Sequence, residues 1–205
     1  MIDILEHINA VQREVSRTGE DATVLMRRAY RALPEEIWDA LTDPERLSRW
    51  MWPMTGDFRV GGSFALQDMA GGDILECEPP KRFKVTYGGA NSLLEIRLHA
   101  GAQGVTELEL EHVVTDVPGP GLGGALYVGP GWDSGLLALA LYVEGHLPAD
   151  WSPVKFHDSP EMLQFNEQSV RAWLEVVRRS GTTTEEDLLE AAKVSMAQFA
   201  PGVEL

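Results

Sequence analysis

The chain has 205 residues, of which 44% are hydrophobic and 24% are charged, and its formal net charge is -15. This length fits one domain with an appendage, and this composition is typical of globular proteins. The acidic excess disfavours nucleic acid and anionic membrane surfaces as partners, because both are bound through clustered Lys and Arg. No stretch approaches the roughly 20 consecutive apolar residues that span a bilayer.

The cysteine and histidine content points to an intracellular protein without a bound metal. Cys77 is the only cysteine, which excludes an internal disulfide and suits a reducing cytoplasm. Asp3 and Glu6 stand where a secretory signal would carry basic residues. The five histidines lack metal-ligand spacing, and no P-loop or Gly-x-Ser-x-Gly motif is present. We therefore expect a cytoplasmic protein with no cofactor.

The first predicted element is an amphipathic helix that ends at Gly19. Its apolar side chains recur at helical spacing, at Ile4, Ile8, Val11 and Val15. Residues 23–31 then predict a strand. Two short helices follow, because Pro34 and Pro44 stand at positions that favour a first helical turn, and the second is expected to end near Trp50.

Residues 57–114 predict an antiparallel meander, because short runs alternate with Gly and Pro turn signals. The alternation of apolar and polar side chains is clearest in the last three strands. One face of the sheet is therefore expected to be dry and the other wet. In the final strand the dry face carries Leu108, Leu110 and His112, and the wet face carries Glu107, Glu109 and Glu111.

A segment rich in Gly and Pro, residues 115–131, is predicted to lack regular structure. It carries many apolar side chains for a solvated loop, at Leu122, Leu126, Tyr127 and Val128. Long loops in compact domains are either functional or poorly ordered. Two interpretations stand: a lid over a binding site, and a linker held by a few core contacts.

The next predicted element is a helix that begins at Trp132 and is apolar nearly all round. Such a helix must be covered on both sides, and the sheet can cover only one. A helix between Ser159 and Gly181 and a last helix between Thr183 and Phe199 follow, each with N-terminal capping signals. We expect these two helices to cover the second side.

Five stretches of the chain carry a resemblance to a known family. In order they are LPEEIWDALTDPERLSRW (33–50), VGGSF (60–64), GGDILECEPPKRFKVTY (71–87), ELEHVV (109–114) and GWDSGLLALALYVE (131–144). They resemble the motifs of the activator-of-heat-shock-protein-ATPase homologue group within the START-like (SRPBCC, helix-grip) superfamily. The resemblance covers residues 22–145, and the order of predicted elements is that of the same fold.

This resemblance implies an α+β helix-grip fold, in which a curved antiparallel sheet wraps a long helix. Across the superfamily the cavity between sheet and helix holds lipids, polyketides and hormone-like ligands. Residues 1–19 are expected to form an extra N-terminal helix, residues 20–146 the START-like domain, and residues 147–205 a C-terminal helical extension packed on that domain.

The candidate ligand-binding residues belong to the dry side of the sheet, the long helix and the adjoining segments. They are Trp50, Trp52, Phe64, Tyr87, Leu94, Ile96, Leu110, His112, Leu126, Tyr127, Trp132, Leu136 and Leu139. Any single aliphatic member could instead simply fill the core. His112 could bind a ligand carbonyl or phenol, act as a general base, or be a core histidine bonded to Tyr87 or to a backbone carbonyl.

The first predicted strand carries an arginine on each face, Arg27 on one and Arg28 on the other. Whichever arginine points inward requires a carboxylate or phosphate partner if it is buried. An anionic group of the ligand is one hypothesis for that partner. The other is that the inward arginine extends to water at the end of the strand.

These patterns favour a non-catalytic protein that binds a small hydrophobic molecule in an internal cavity. An alternative is an enzyme of the polyketide-cyclase or aromatase kind, which needs at least two polar side chains within hydrogen-bond reach inside the cavity. A third possibility is a co-chaperone-like or other partner-binding module, which would use the acidic sheet face or the first helix and could form a homodimer. No catalytic residue is assigned.

Overall fold

The computed structural model describes residues 2–19, 21–115, 124–148 and 150–205. The strands in these ranges are β1 (Val11–Thr18), β2 (Asp21–Tyr30), β3 (Met54–Gly56), β4 (Ser63–Leu66), β5 (Gly71–Glu78), β6 (Arg82–Thr86), β7 (Ser92–Ala100) and β8 (Thr106–Val114). The helices are α1 (Ile4–Asn9), α2 (Pro34–Thr42), α3 (Pro44–Leu47), α4 (Ala125–Val143), α5 (Pro153–His157), α6 (Pro160–Ser180) and α7 (Glu185–Phe199).

The strands form one curved antiparallel sheet in the order β1-β2-β8-β7-β6-β5-β4-β3. The long helix α4 contacts the sheet through β2, and α6 and α7 pack on α4. This is the predicted α+β helix-grip fold with a C-terminal helical extension. None of the helices in the described ranges has both the length and the apolar character needed to cross a bilayer.

The prediction of a single helix over the first 19 residues is wrong beyond Asn9. Helix α1 has six residues, and the chain then enters β1, which pairs antiparallel with β2 along its whole length. Val11 and Val15 are four residues apart, and that spacing places two side chains on one face of a strand as well as of a helix. Pairing with the edge of β2 decides between the two, so this segment belongs to the sheet.

The strand predictions for the meander are confirmed. Strands β6, β7 and β8 coincide with the alternating runs, and β2 begins two residues before its predicted start. Leu108, Leu110 and His112 are all buried on the concave face, as their strand parity predicts. Alternation is a reliable guide here because one face of this sheet is covered by α4 and the other is not.

Helix α4 begins at Ala125, so the prediction of irregular structure up to residue 131 is wrong for its last part; residues 116–123 lie outside the described ranges. Two tertiary contacts explain the difference. Pro130 has no N–H to donate to the Leu126 carbonyl, which instead accepts a hydrogen bond from Ser195 Oγ of α7 at 2.7 Å. Gly129 leaves room for the Trp173 ring of α6, since a Cβ there would lie 2.4 Å from that ring.

The far side of α4 is covered by α6 and α7, and a buried ion pair fixes the contact. Asp133 of α4 is fully buried and accepts two hydrogen bonds from Arg13 of β1, at 3.0 and 2.9 Å. The same carboxylate accepts from Ser169 Oγ and from Trp173 Nε1, both on α6. A buried carboxylate is tolerated only with such partners, so Asp133 locks β1, α4 and α6 in one arrangement.

The ends of the short and C-terminal helices follow the predicted capping chemistry with small shifts. The Asp43 side chain caps α3, and the Ser159 side chain caps α6, which ends at Gly181 with a φ of 66°. Helix α7 is capped by Thr184 rather than by Thr183. Helix α3 ends at Leu47, before the predicted end near Trp50, and the following turns lead into β3.

Candidate ligand-binding cavity

An apolar cavity lies between the concave face of the sheet and helix α4, and its volume is about 110 Å³. It is closed at one side by α2, α3 and the segment that leads to β4. The lining residues are Leu41, Leu47, Trp50, Met51, Met54, Phe58, Phe64, Leu66, Phe83, Val85, Tyr87, Leu94, Ile96, Leu108, Leu110, Trp132, Gly135, Leu136 and Leu139.

About half of the lining residues belong to strands, and the alternation of side chains along each strand turns them towards the cavity. Leu94 and Ile96 of β7 and Leu108 and Leu110 of β8 alternate with the charged residues of the outer face, so each strand contributes two side chains to one wall. Helix α4 contributes the opposite wall, where Leu136 and Leu139 are one turn apart. The walls are therefore built on regular elements and are rigid compared with a loop-lined site.

The cavity offers few polar groups to a guest. The indole N–H of Trp50 donates to the Ala40 carbonyl at 3.0 Å, and that of Trp132 donates to His112 Nδ1 at 3.0 Å, so both donors are already occupied. The remaining polar side-chain group is the hydroxyl of Tyr87, whose pKa is raised by burial. This hydroxyl makes no hydrogen bond to any residue in the described ranges. It is the available polar contact for a bound molecule.

His112 lies behind Trp132 and Tyr87 and is outside the cavity lining. Its Nδ1 accepts from the Trp132 indole, which can only donate, so Nδ1 carries no proton. The proton of the neutral ring is therefore on Nε2, which donates to Ser92 Oγ at 2.7 Å. Burial lowers the pKa of His112 to about 4, which keeps the ring neutral. In this tautomer His112 cannot accept the Ser92 proton, and the pair is not a nucleophile with its base.

The structure brings most of the predicted ligand-binding residues together around the cavity. These are Trp50, Phe64, Tyr87, Leu94, Ile96, Leu110, Trp132, Leu136 and Leu139. The others lie elsewhere: Trp52 lines a neighbouring groove, Leu126 is buried near Ser195 of α7, and Tyr127 is 41% exposed. His112 is a core histidine, as one interpretation held, although its partners are Ser92 and Trp132 rather than Tyr87 or a backbone carbonyl.

Several lining residues were not among the candidate ligand-binding residues. Phe83, Val85 and Leu108 share the parity of the predicted dry face, so that signal was available. Met51 could not be found in this way, because it belongs to the irregular segment after α3. Met54 begins β3, a strand of three residues that is too short to show a period. Asp133 also carried a signal: a single acid in a nearly all-apolar helix must have a buried partner.

Arg28 is the inward-facing arginine of β2, whereas Arg27 faces outward and pairs with Glu14 and Glu109. The Arg28 side chain is 4% exposed, so the expectation that an inward arginine extends to water is wrong. Its Nη2 lies 2.7 Å from His7 Nδ1, and its Nε and Nη1 lack a partner among the described residues. Arg28 does not line the cavity, and its guanidinium contacts His7 of α1 instead.

Comparison with known proteins was made at the level of families, curated proteins and solved structures. The family model for "Activator of Hsp90 ATPase homolog 1-like protein" matches residues 31–144. No curated protein sequence is significantly similar to the chain.

Solved structures of CalU16 from Micromonospora echinospora are similar in both sequence and fold. The crystal structure is 34% identical, with 82% of this chain and 99% of that chain covered and a TM-score of 0.66. The solution structure is 36% identical, with 83% and 96% covered and a TM-score of 0.68. A conserved protein of unknown function from Enterococcus faecalis, EF2215, shares the fold at 18% identity, with 84% and 95% covered and a TM-score of 0.59.

The matched residues include α2, the meander and α4, which are the elements that enclose the cavity. The chain therefore belongs to the family of activator of Hsp90 ATPase homolog 1-like proteins, with the START-like helix-grip fold.

Proposed function

We propose that this protein binds a small hydrophobic molecule in the cavity between the sheet and α4, without catalysing a reaction on it. The observation that carries the proposal is the cavity itself, an apolar space of about 110 Å³ lined mostly by residues of the hydrophobic core. An unfilled apolar space costs free energy, because the atoms of its walls lack packing partners on one side. A guest that fills the space recovers part of that free energy, so binding and stability are coupled.

The polar groups near the cavity support a binding role over a catalytic one. A cyclase-like enzyme needs two or more polar side chains that converge on the substrate. Among the lining residues, Tyr87 is the one whose side chain has a polar group without a hydrogen bond in the described ranges. His112 lies outside the lining, and both of its ring nitrogens are hydrogen-bonded. A bound molecule would therefore be recognised by shape and by one hydrogen bond.

The outer face of the sheet gives weaker support to a partner-binding function. Arg97 bonds Glu95, Glu109 and Glu111 at 2.7–2.9 Å, so much of the acidic character of this face is neutralised within the sheet. A co-chaperone-like role and homodimer formation stay predictions, and a cytoplasmic location is part of the proposal.

Thermal unfolding with and without toluene tests the proposal, because toluene is small enough for a cavity of this size. At ten times its Kd a guest adds about 1.4 kcal/mol, which corresponds to a rise in Tm of about 3–5 °C for a chain of this length. Leu139→Phe fills the cavity and should abolish the rise.

The matched control is Leu137→Phe, two residues away on α4. Leu137 is fully buried in a separate cluster with Ile8 and Phe165, so its replacement perturbs the core to a similar degree without filling the cavity. If Leu139→Phe does not fold, Leu66→Phe at the half-buried edge of the cavity replaces it. A toluene response that survives in the cavity variants, or is absent from the parent protein, contradicts the proposal.

Native mass spectrometry of the protein purified from its own host identifies the natural ligand. A co-purifying apolar molecule that is lost in Leu139→Phe and kept in Leu137→Phe would support the proposed function. Conversion of that molecule on prolonged incubation would favour the enzyme instead.

A further inference from the structure

A second depression, with a volume of about 300 Å³, lies beside the cavity, where the C-terminal extension packs on the START-like domain. We call this depression the aromatic groove. Its walls come from the segment after α3, the turn between β4 and β5, α4, α5, α6 and the end of α7. It is lined by Trp50, Met51, Trp52, Asp68, Met69, Gly131, Ser134, Gly135, Ala138, Trp151, Pro153, Phe156, His157, Met162 and Phe199.

The cavity and the aromatic groove are neighbours separated by a thin partition. Trp50, Met51 and Gly135 line both spaces. A Cβ placed on Gly135 would lie 3.6 Å from the methyl group of Met51, so the Met51 side chain lies directly against the bare helix backbone at this point. Methionine is unbranched and flexible, so rotation of Met51 would join the two spaces without movement of the backbone.

The volumes argue that the two spaces serve one ligand. Sites for organic ligands and cofactors typically have volumes of about 300–1,000 Å³. The cavity alone is far below that range and the groove alone only reaches its lower end, whereas the two together fall within it.

Trp151, which lines the aromatic groove, carries an unused hydrogen-bond donor. Trp151 Nε1 is buried and has no acceptor among the residues of the described ranges. A buried N–H without a partner is costly, and a ligand acceptor would remove that cost. The rings of Trp52, His157 and Phe156 stand around the same groove, where they can pack against a flat group.

Building on the proposed function, we propose that the binding site extends past Met51 into the aromatic groove. The ligand class is then an elongated apolar molecule with two unlike ends. An aliphatic or small ring portion fills the cavity, and a flat unsaturated portion with a hydrogen-bond acceptor lies in the groove and accepts from Trp151 Nε1. The C-terminal extension, through Trp151 and Phe156, supplies this second half of the site.

Three probes separate this inference from the proposed function: toluene, pentylbenzene and valerophenone. Toluene fits the cavity alone. Pentylbenzene is too long for the cavity, and valerophenone is an alkyl phenyl ketone of similar length that carries an acceptor. In the ¹⁵N-labelled protein the indole N–H signals of the six tryptophans report each contact, and Trp→Phe variants assign them.

We expect pentylbenzene to bind at least tenfold more tightly than toluene, and valerophenone to shift the Trp151 indole proton downfield while pentylbenzene does not. Trp151→Phe keeps a ring in place and removes the donor, so the preference for valerophenone over pentylbenzene should fall about three- to tenfold. The matched control is Trp52→Phe, which alters the same groove but not the donor, and which should change the affinity for both probes to the same extent.

Each remaining outcome overturns the inference. If toluene binds but pentylbenzene does not, the site ends at the cavity, and the proposed function survives without the extension. If both bind and the Trp151 signal does not respond to valerophenone, the groove does not take the acceptor end. If no probe binds, the proposed function fails together with the extension.

Discussion

Acidification should destabilise the protein through His112, and the structure sets the size of the effect. The folded-state pKa of His112 is about 4, compared with an unfolded value of 6.5, because burial disfavours the charged ring. The unfolded chain therefore binds the proton first, so the full contribution to stability is present above pH 6.5 and is lost as the pH falls towards 4. A pKa difference of about 2.5 corresponds to about 3 kcal/mol in total, of which about 2 kcal/mol is lost between pH 7 and pH 5.

Urea unfolding at pH 7 and pH 5 measures this loss. In His112→Asn the amide oxygen can still accept from Trp132, but the titrating group is gone, so the loss between the two pH values should be about 2 kcal/mol smaller than in the parent protein. His99→Asn is the matched control, since His99 is exposed on β7. An equal loss of stability in His112→Asn and in the parent protein would refute the reasoning about the buried neutral ring.

Two further predictions concern the contacts that hold α4. Ser195→Ala should cost about 1–3 kcal/mol in the free energy of unfolding, because it leaves the Leu126 carbonyl without its donor in a fully buried site; an unchanged urea midpoint would contradict this role. Asp133→Asn should cost about 3–5 kcal/mol, because it leaves the buried Arg13 without its carboxylate. Asp39→Asn is the matched control, where loss of an exposed ion pair should cost less than about 1 kcal/mol.

The sheet could be predicted from the sequence because its signal is local. A period of two, seen in Leu94, Ile96 and Leu98, survives in any context where one face is buried. The segment from Val11 to Val15 shows the limit of the same reasoning, since a four-residue repeat fits both a helix and a strand. The choice is made by pairing with β2, which is not a property of the segment itself.

The start of α4 could not be predicted, because the features that normally end a helix are compensated from outside. Pro130 frees the Leu126 carbonyl, which Ser195 satisfies from 69 residues further along the chain, and Gly129 accommodates the ring of Trp173. Local propensity reports the cost of Pro and Gly, whereas the compensation is visible only in the folded chain.

The lining residues that belong to strands could be predicted from the sequence for the same reason as the sheet. Leu94, Ile96 and Leu110 line the cavity because of strand parity. The part supplied by Met51 and Met54 depends on how the chain turns between α3 and β3, and no periodic pattern encodes that direction. Trp52 lies next to the cavity in sequence and in space, but its ring belongs to the aromatic groove.

The cavity between the sheet and α4 is tested most directly by a crystal structure determined under xenon pressure, because xenon enters dry apolar cavities and is seen by its strong scattering. A xenon atom is expected between α4 and the β7–β8 wall, in contact with Leu110 and Leu136, in the parent protein and in Leu137→Phe but not in Leu139→Phe. A structure in which side chains fill that space and xenon is absent would show that the protein has no internal binding cavity.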